Sequence, residues 1–220
     1  QQAVDIPPGV PAALAALHHS AAWNDTKSIE QLFDQFDGQI AALVVSASYP
    51  DMQLGETFYP FLRKITQKHA AVLIFDEIVT GFRIAIGGAQ EYFNVTPDMA
   101  VFAKAIANGM PLSAYVGSKE LMGTLDQAIV SSTYGGEALS LAACKAAIHT
   151  YRNEQVIDHL WQQGEKLWTQ VNDLGKQHNL PIRLTGMWPC PQWQCDDDSL
   201  REPFFRAAYR HGVSLFGVSY

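Results

Sequence analysis

Residues 71–83 read Ala71-Val-Leu-Ile-Phe-Asp-Glu-Ile-Val-Thr-Gly-Phe-Arg83, and residues 97–104 read Pro97-Asp-Met-Ala-Val-Phe-Ala-Lys104. Each holds a short apolar run closed by a charged residue, Asp76 in the first and Lys104 in the second. Continuous apolar runs of this length are how strands covered on both faces of a parallel sheet read. A carboxylate or an amine taken out of water at the end of such a strand is costly unless it is paired, neutralised or used. In an open α/β sheet the ligand crevice lies beyond the carboxyl ends of the strands, so two such groups can face one ligand. Asp76 and Lys104 are therefore expected to be a buried carboxylate and a buried amine at a cofactor site.

Working outward, residues 40–45 form a third apolar run and residues 113–116 a candidate fourth. Between the runs at 40–45 and 71–75, residues 58–69 carry Phe58, Phe61, Leu62 and Ile65 at helical spacing, with Pro60 near the first turn. That is a strand–helix–strand unit, and the expected fold is α/β, a mostly parallel sheet flanked by helices. Residues 137–151, rich in Ala and Leu, predict a mostly buried helix; residues 153–179 predict a longer amphipathic one that Gly175 weakens near its end. After Pro181 the texture changes to Trp188, Pro189, Pro191, Trp193 and the acidic residues 196–198, followed by an amphipathic segment at 200–211. Residues 1–152 are read as one domain and 153–220 as a linking helix with part of a smaller one.

Composition removes several functional classes. The 220 residues are 48% hydrophobic and 17% charged, enough to bury a core. Twenty-two acidic against 15 basic residues give a net charge of −7, with no basic footprint for nucleic acid. Cys144, Cys190 and Cys195 are odd in number and lack metal-ligand spacing, as do the seven histidines, so neither a disulfide framework nor a metal site is expected. There is no apolar stretch of membrane-spanning length and no export signal, and the expected location is the cytoplasm.

An amine held in an apolar pocket is favoured in its neutral form, the nucleophile for a Schiff base. An aspartate against a pyridinium nitrogen favours the protonated ring, with an attraction of roughly 4 kcal/mol for a close pair at an intermediate effective dielectric. Spacing alone leaves a structural alternative open, in which Asp76 caps the next turn and Lys104 snorkels from a strand end.

The wider words go further. Phe75-Asp-Glu-Ile-Val-Thr-Gly-Phe-Arg83, Pro97-Asp-Met99 and Ala103-Lys-Ala-Ile-Ala-Asn-Gly-Met-Pro111 resemble the signature of the class III pyridoxal-phosphate aminotransferases, with Asp76 and Lys104 28 positions apart. The resemblance extends over residues 40–151 and implies fold type I, pyridoxal 5'-phosphate as cofactor and a large domain followed by part of a small C-terminal α+β domain. It implies that Lys104 forms the Schiff base and moves the substrate proton, that Asp76 binds the ring nitrogen and that Ile78 packs on the ring face. In Ser131-Ser-Thr-Tyr-Gly-Gly-Glu137 it implies that Thr133 reaches the cofactor phosphate of a neighbouring subunit, so that the working unit is a homodimer. A hydroxyl and glycines before a helix N-terminus also make an anion site plausible from the residues alone, as they do a simple cap and turn. Glu77 and Arg83 are read as a structural ion pair or as pocket-lining groups; Trp188, Trp193, Met99 and Phe102 as packing residues; Cys144 as a small buried one.

Two departures from the family pattern stand out. Ser46-Ala-Ser48 replaces the Glu-Pro that relatives often carry after the equivalent strand, which bears on substrate choice. Family members are roughly twice as long, so the chain is expected to be a fragment. The glycine-rich phosphate turn and the stacking aromatic would precede Gln1, and the small domain would break off near residues 217–220. The stretches at 9–25 and 87–90 resemble the glutamate-1-semialdehyde aminomutase branch, whereas 107–114 and 133–137 resemble aminotransferases of keto or aldehyde sugars. The expected reaction is transfer from an amino donor, L-glutamate, to a carbonyl acceptor such as an eight-carbon sugar acid. A 2,1-aminomutase, a racemase or decarboxylase on the same fold, and a non-catalytic dimerisation module are the alternatives.

Overall fold

The computed structural model describes residues 9–128 and 133–215. Residues 1–8, Ser131 and Ser132 of the third motif, and the closing stretch 216–220 lie outside the described residues. Four strands, β1 (Ala42–Val45), β2 (Val72–Asp76), β3 (Met99–Phe102) and β4 (Ala114–Gly117), form one sheet in the order β1-β2-β3-β4. The first three are parallel and β4 runs antiparallel to β3. The helices are α1 (Ala12–Ala15), α2 (Thr26–Gln35), α3 (Gly55–Lys68), α4 (Ala89–Tyr92), α5 (Lys119–Met122), α6 (Ala138–Asn153), α7 (Val156–Gln177) and α8 (Asp198–Arg210), with a 3-10 turn over Tyr49–Leu54. A hairpin of β5 (Ile182–Met187) and β6 (Cys190–Cys195) completes the element order.

The main core lies on one face of the sheet. Asp25 caps α2 by accepting the Ser28 amide at 3.1 Å, which aims Ile29 and Phe33, four residues apart, at α3. From α3, Phe58, Tyr59, Leu62 and Ile65 pack with them against Val45, Leu73, Phe75 and Ala100 of the strands. The helix begins at Gly55, ahead of the expected start, so Pro60 sits inside it and removes one backbone donor. The opposite sheet face is less covered: Val72, Ile74, Met99 and Val101 are half-buried and Val44 is 66% exposed. Strands covered on both faces were expected, but α2 and α3 cover only one, so the side chains fall into two sets by strand alternation.

A second cluster of Phe82, Ile106, Ala107 and Tyr151 lies beyond the end of β3. Helix α6 meets it with Cys144, Ala147, Ile148 and Tyr151, a stripe at helical spacing. The remainder of α6 corrects the expected burial, since Leu139 and Leu141 are exposed and only Ser140 and Tyr151 are buried. Cys144 is half-buried. Helix α7 runs on through Gly175, and the missing side chain lets β5 approach it, for a Cβ there would lie 2.7 Å from the Ile182 carbonyl oxygen.

The β5–β6 hairpin was not expected from the sequence, although Ile182, Arg183, Leu184 and Thr185 alternate in polarity and burial. Tertiary bonds hold it: Asn172 of α7 accepts the Leu184 amide at 2.7 Å and donates to its carbonyl at 3.1 Å. Met187 enters the main core, while Trp188 packs edge-on against Trp161 and Trp193 lies tilted against Phe204.

Candidate active site at the carboxyl ends of β2 and β3

Asp76 ends β2 in register with Val101 of β3, and Lys104 follows the end of β3 after Ala103. The topology therefore brings the two sequence-predicted groups to the same end of neighbouring parallel strands. The half-buried Asp76 carboxylate accepts the Ile78 amide on Oδ1 at 3.0 Å, a local bond that turns the chain off the strand. No other hydrogen bond or ion pair reaches that carboxylate among the described residues. Ile78 is half-buried in the same turn.

Lys104 corrects the expectation of a buried amine. It is exposed, and its ammonium has no ion pair or hydrogen bond among the described residues. Ile106 and Ala107 just beyond it are buried in the second cluster with α6, while the lysine itself stays exposed. Its backbone is unusual, with φ of 50° in the left-handed region. The Lys104 carbonyl accepts the Asn108 amide at 3.0 Å, so the turn that carries the lysine is hydrogen-bonded in this form. For a residue with a Cβ this conformation costs about 1–2 kcal/mol, and such strain gathers at functional sites.

The Asp76 turn is wedged against the strand that leads to Lys104. A Cβ on Gly81 would lie 2.5 Å from Cδ1 of Phe102 and 2.8 Å from the Glu77 carbonyl oxygen, so glycine permits that approach. Phe102 bridges the two clusters, in line with its reading as a packing residue.

Glu77 and Arg83 are not an ion pair. Arg83 donates from Nε to the Pro189 carbonyl at 2.6 Å, and Trp161 donates to the Ile84 carbonyl at 2.9 Å, which fastens the loop after β2 to the hairpin and α7. Glu77 is 1% exposed. Its Oε2 accepts from Thr80 Oγ1 and, at 2.7 Å, from the Ala89 amide; its Oε1 accepts the Gln90 amide at 2.9 Å. Burial pushes its carboxyl above the ordinary value, opposed by those three bonds and assisted by the neighbouring Asp76 charge. The motif placed Glu77 beside Asp76, but its partners at 89 and 90 were visible only as a Gly-Gly pair preceding a helix.

Thr133 is exposed in the turn at 133–136 that leads into α6. The helix N-terminus itself is taken by Glu137, whose carboxylate accepts the Leu139 and Ser140 amides, each at 2.7 Å. Bonds from Ser140 and Leu139 hold that carboxyl below its ordinary value. An anion near Thr133 would thus be met by the turn rather than by the first amides of the helix.

Among the described residues there is no group of three or more His, Cys, Asp or Glu arranged to hold a metal, and no helix long and apolar enough to cross a membrane. The donor set at the strand ends fits pyridoxal phosphate: a carboxylate with an uncommitted oxygen matches a protonatable ring nitrogen, and an unpaired primary amine matches an aldehyde.

Comparison with known proteins agrees. The family model for class-III aminotransferases matches residues 2–219. The chain is 34% identical over 189 residues to the glutamate-1-semialdehyde 2,1-aminomutase of Acetivibrio thermocellus, covering 83% of this chain and 44% of that protein. It is 33% identical over 186 residues to glutamate-1-semialdehyde 2,1-aminomutase 2 of Lachnoclostridium phytofermentans, covering 81% and 44%. The chain thus spans less than half the length of these curated relatives. Among solved structures, FumI of Sphingopyxis sp. MTA144, in its pyridoxal-phosphate internal aldimine form, superposes with a TM-score of 0.86 at 24% identity over 97% of this chain and 53% of that one. An omega-transaminase from Sphaerobacter thermophilus gives 0.84 at 23% identity over 95% and 53%.

Proposed function

The chain belongs to the class-III aminotransferases, a pyridoxal-phosphate-dependent family, and from that premise we propose that it carries active-site residues of an enzyme that moves an amino group from a donor amino acid to a ketone or aldehyde. The observation that carries this reading is the placement of an uncommitted carboxylate and an unpaired, backbone-strained lysine at the ends of adjacent parallel strands. When bound, pyridoxal phosphate supplies an electron sink for negative charge at the substrate α-carbon. In this reading Lys104 supplies the amine that holds the cofactor aldehyde and then carries the proton at the α-carbon. Asp76 keeps a proton on the ring nitrogen, Ile78 packs on the ring, and Thr133 binds the phosphate held by a second copy of the chain, making the unit a homodimer. Residues 1–152 belong to the cofactor domain and 153–220 to the linking helix and part of a smaller domain. The cytoplasm is the proposed location.

L-Glutamate is the proposed donor, and a carbonyl compound such as an eight-carbon sugar acid the proposed acceptor. The names of the two aminomutases above favour a second reading, in which one substrate serves both halves of the reaction. Nitrogen-15 glutamate supplied to the whole protein separates the two. Label in the product supports transfer, and product formed without label from any external donor supports the aminomutase. Absence of bound-cofactor absorbance, together with a Lys104→Ala variant that changes neither spectrum nor turnover, leaves the non-catalytic module instead.

A further inference from the structure

Glu77 is a fully buried carboxylate that the proposed reaction does not use. It sits between Asp76 and Ile78, the two residues of this turn assigned to the cofactor ring, and is fixed on every side. Its amide donates to the Val101 carbonyl at 2.9 Å, and its own carbonyl accepts the Gly81 amide at 2.9 Å. Its side chain reaches across to the start of α4 and takes the Ala89 and Gln90 amides on different oxygens. Gly88, at φ of 77°, leaves room for it, since a Cβ there would lie 2.6 Å from Glu77 Cδ.

Both oxygens face backbone N–H groups, which cannot reverse their polarity, so the site is built for a carboxyl group and not for an amide. A buried group held at this many points costs free energy to leave unsatisfied, and that cost resists any rotation of the turn that would swing Asp76. We propose that Glu77 is the positioning residue that aims the Asp76 carboxylate at the cofactor ring nitrogen, by bolting the turn after β2 to the N-terminal amides of α4. The inference rests on the cofactor-binding reading above. Holding a carboxylate by an outer hydrogen-bonded partner is a general way to fix a reacting group.

The test uses the whole protein loaded with pyridoxal phosphate labelled with nitrogen-15 in the ring, and reads the ring-nitrogen chemical shift and the cofactor dissociation constant. Asp76→Asn defines the shift when the ring-nitrogen partner is lost. Glu77→Gln is expected to move the shift part of the way toward that value and to weaken cofactor binding about tenfold, the effect of one buried amide left facing a donor. A Glu77→Gln shift equal to wild type, with Asp76→Asn displaced, overturns the positioning role even if the variant is less stable. If Glu77→Gln does not fold, Thr80→Val decides: it removes only the hydroxyl bond to Glu77, and a smaller displacement in the same direction supports the role while none overturns it. If Asp76→Asn leaves the shift unchanged, or no cofactor binds, the functional reading falls together with this one.

Discussion

Replacing Lys104 by glycine should make the protein more stable than replacing it by alanine, although both variants lose the same amine. At φ of 50° a residue with a Cβ carries about 1–2 kcal/mol of steric strain that glycine does not. Against this, glycine gives the unfolded chain more freedom, worth about 0.4–1 kcal/mol. The Lys104 side chain is exposed and unpaired among the described residues, so its removal adds no packing or ion-pair term to either variant. The midpoints of these two ranges leave a difference of about 0.8 kcal/mol in favour of glycine. Urea unfolding of the two variants, each as cofactor-free whole protein, reads it as a midpoint higher by a few tenths of a molar for Lys104→Gly. An alanine variant as stable as the glycine one, or more so, would refute the claim that the lysine is held in a strained backbone. Neither variant is expected to turn over substrate, so the pair also separates the contribution of Lys104 to stability from its contribution to chemistry.

Gly88→Ala should destabilise the protein by about 3 kcal/mol or more, because it puts a Cβ at φ of 77° against the buried Glu77 carboxylate; thermal unfolding with a shift of under a degree would count against the latch. Asn172→Ala should cost about 1–3 kcal/mol by leaving the buried Leu184 amide without its acceptor, read from the urea midpoint. Asp98 should make stability fall in acid. Burial opposes its ionisation, but bonds from Arg63 and the Leu73 amide outweigh it, and the carboxyl is held below its ordinary 3.8. Its contribution is present above that value and lost as pH falls through the lowered folded-state value, so Asp98→Asn should be less stable at pH 7 and show a shallower loss of midpoint below pH 4. Thr133→Ala should weaken cofactor binding in the proposed dimer while leaving the melting of cofactor-free protein unchanged, as measured by cofactor titration and calorimetry.

The strands and the two groups at their ends were legible because buried parallel strands write themselves as unbroken apolar runs, and the polar residue that closes such a run marks its carboxyl end. The helices α3 and α6 were legible as types, but not the burial of α6: an Ala- and Leu-rich composition says how apolar a helix is, not how wide a stripe finds a partner. The β5–β6 hairpin was missed for a related reason. Pro189, Pro191 and two tryptophans disguise its alternation, and its register is held by Asn172 from another element.

By itself the sequence determined the three apolar runs that become β1, β2 and β3, the charged residues Asp76 and Lys104 that close two of them, and the family, since each is written in contiguous residues. Only the tertiary structure decided that Lys104 stands in water rather than in an apolar pocket, that Arg83 bonds to the Pro189 carbonyl and not to Glu77, and that Glu77 is a latch between β2 and α4. The physical reason is the same in each case. Desolvation and hydrogen bonding depend on which distant groups close over a residue, and a one-dimensional pattern records only what the residue is.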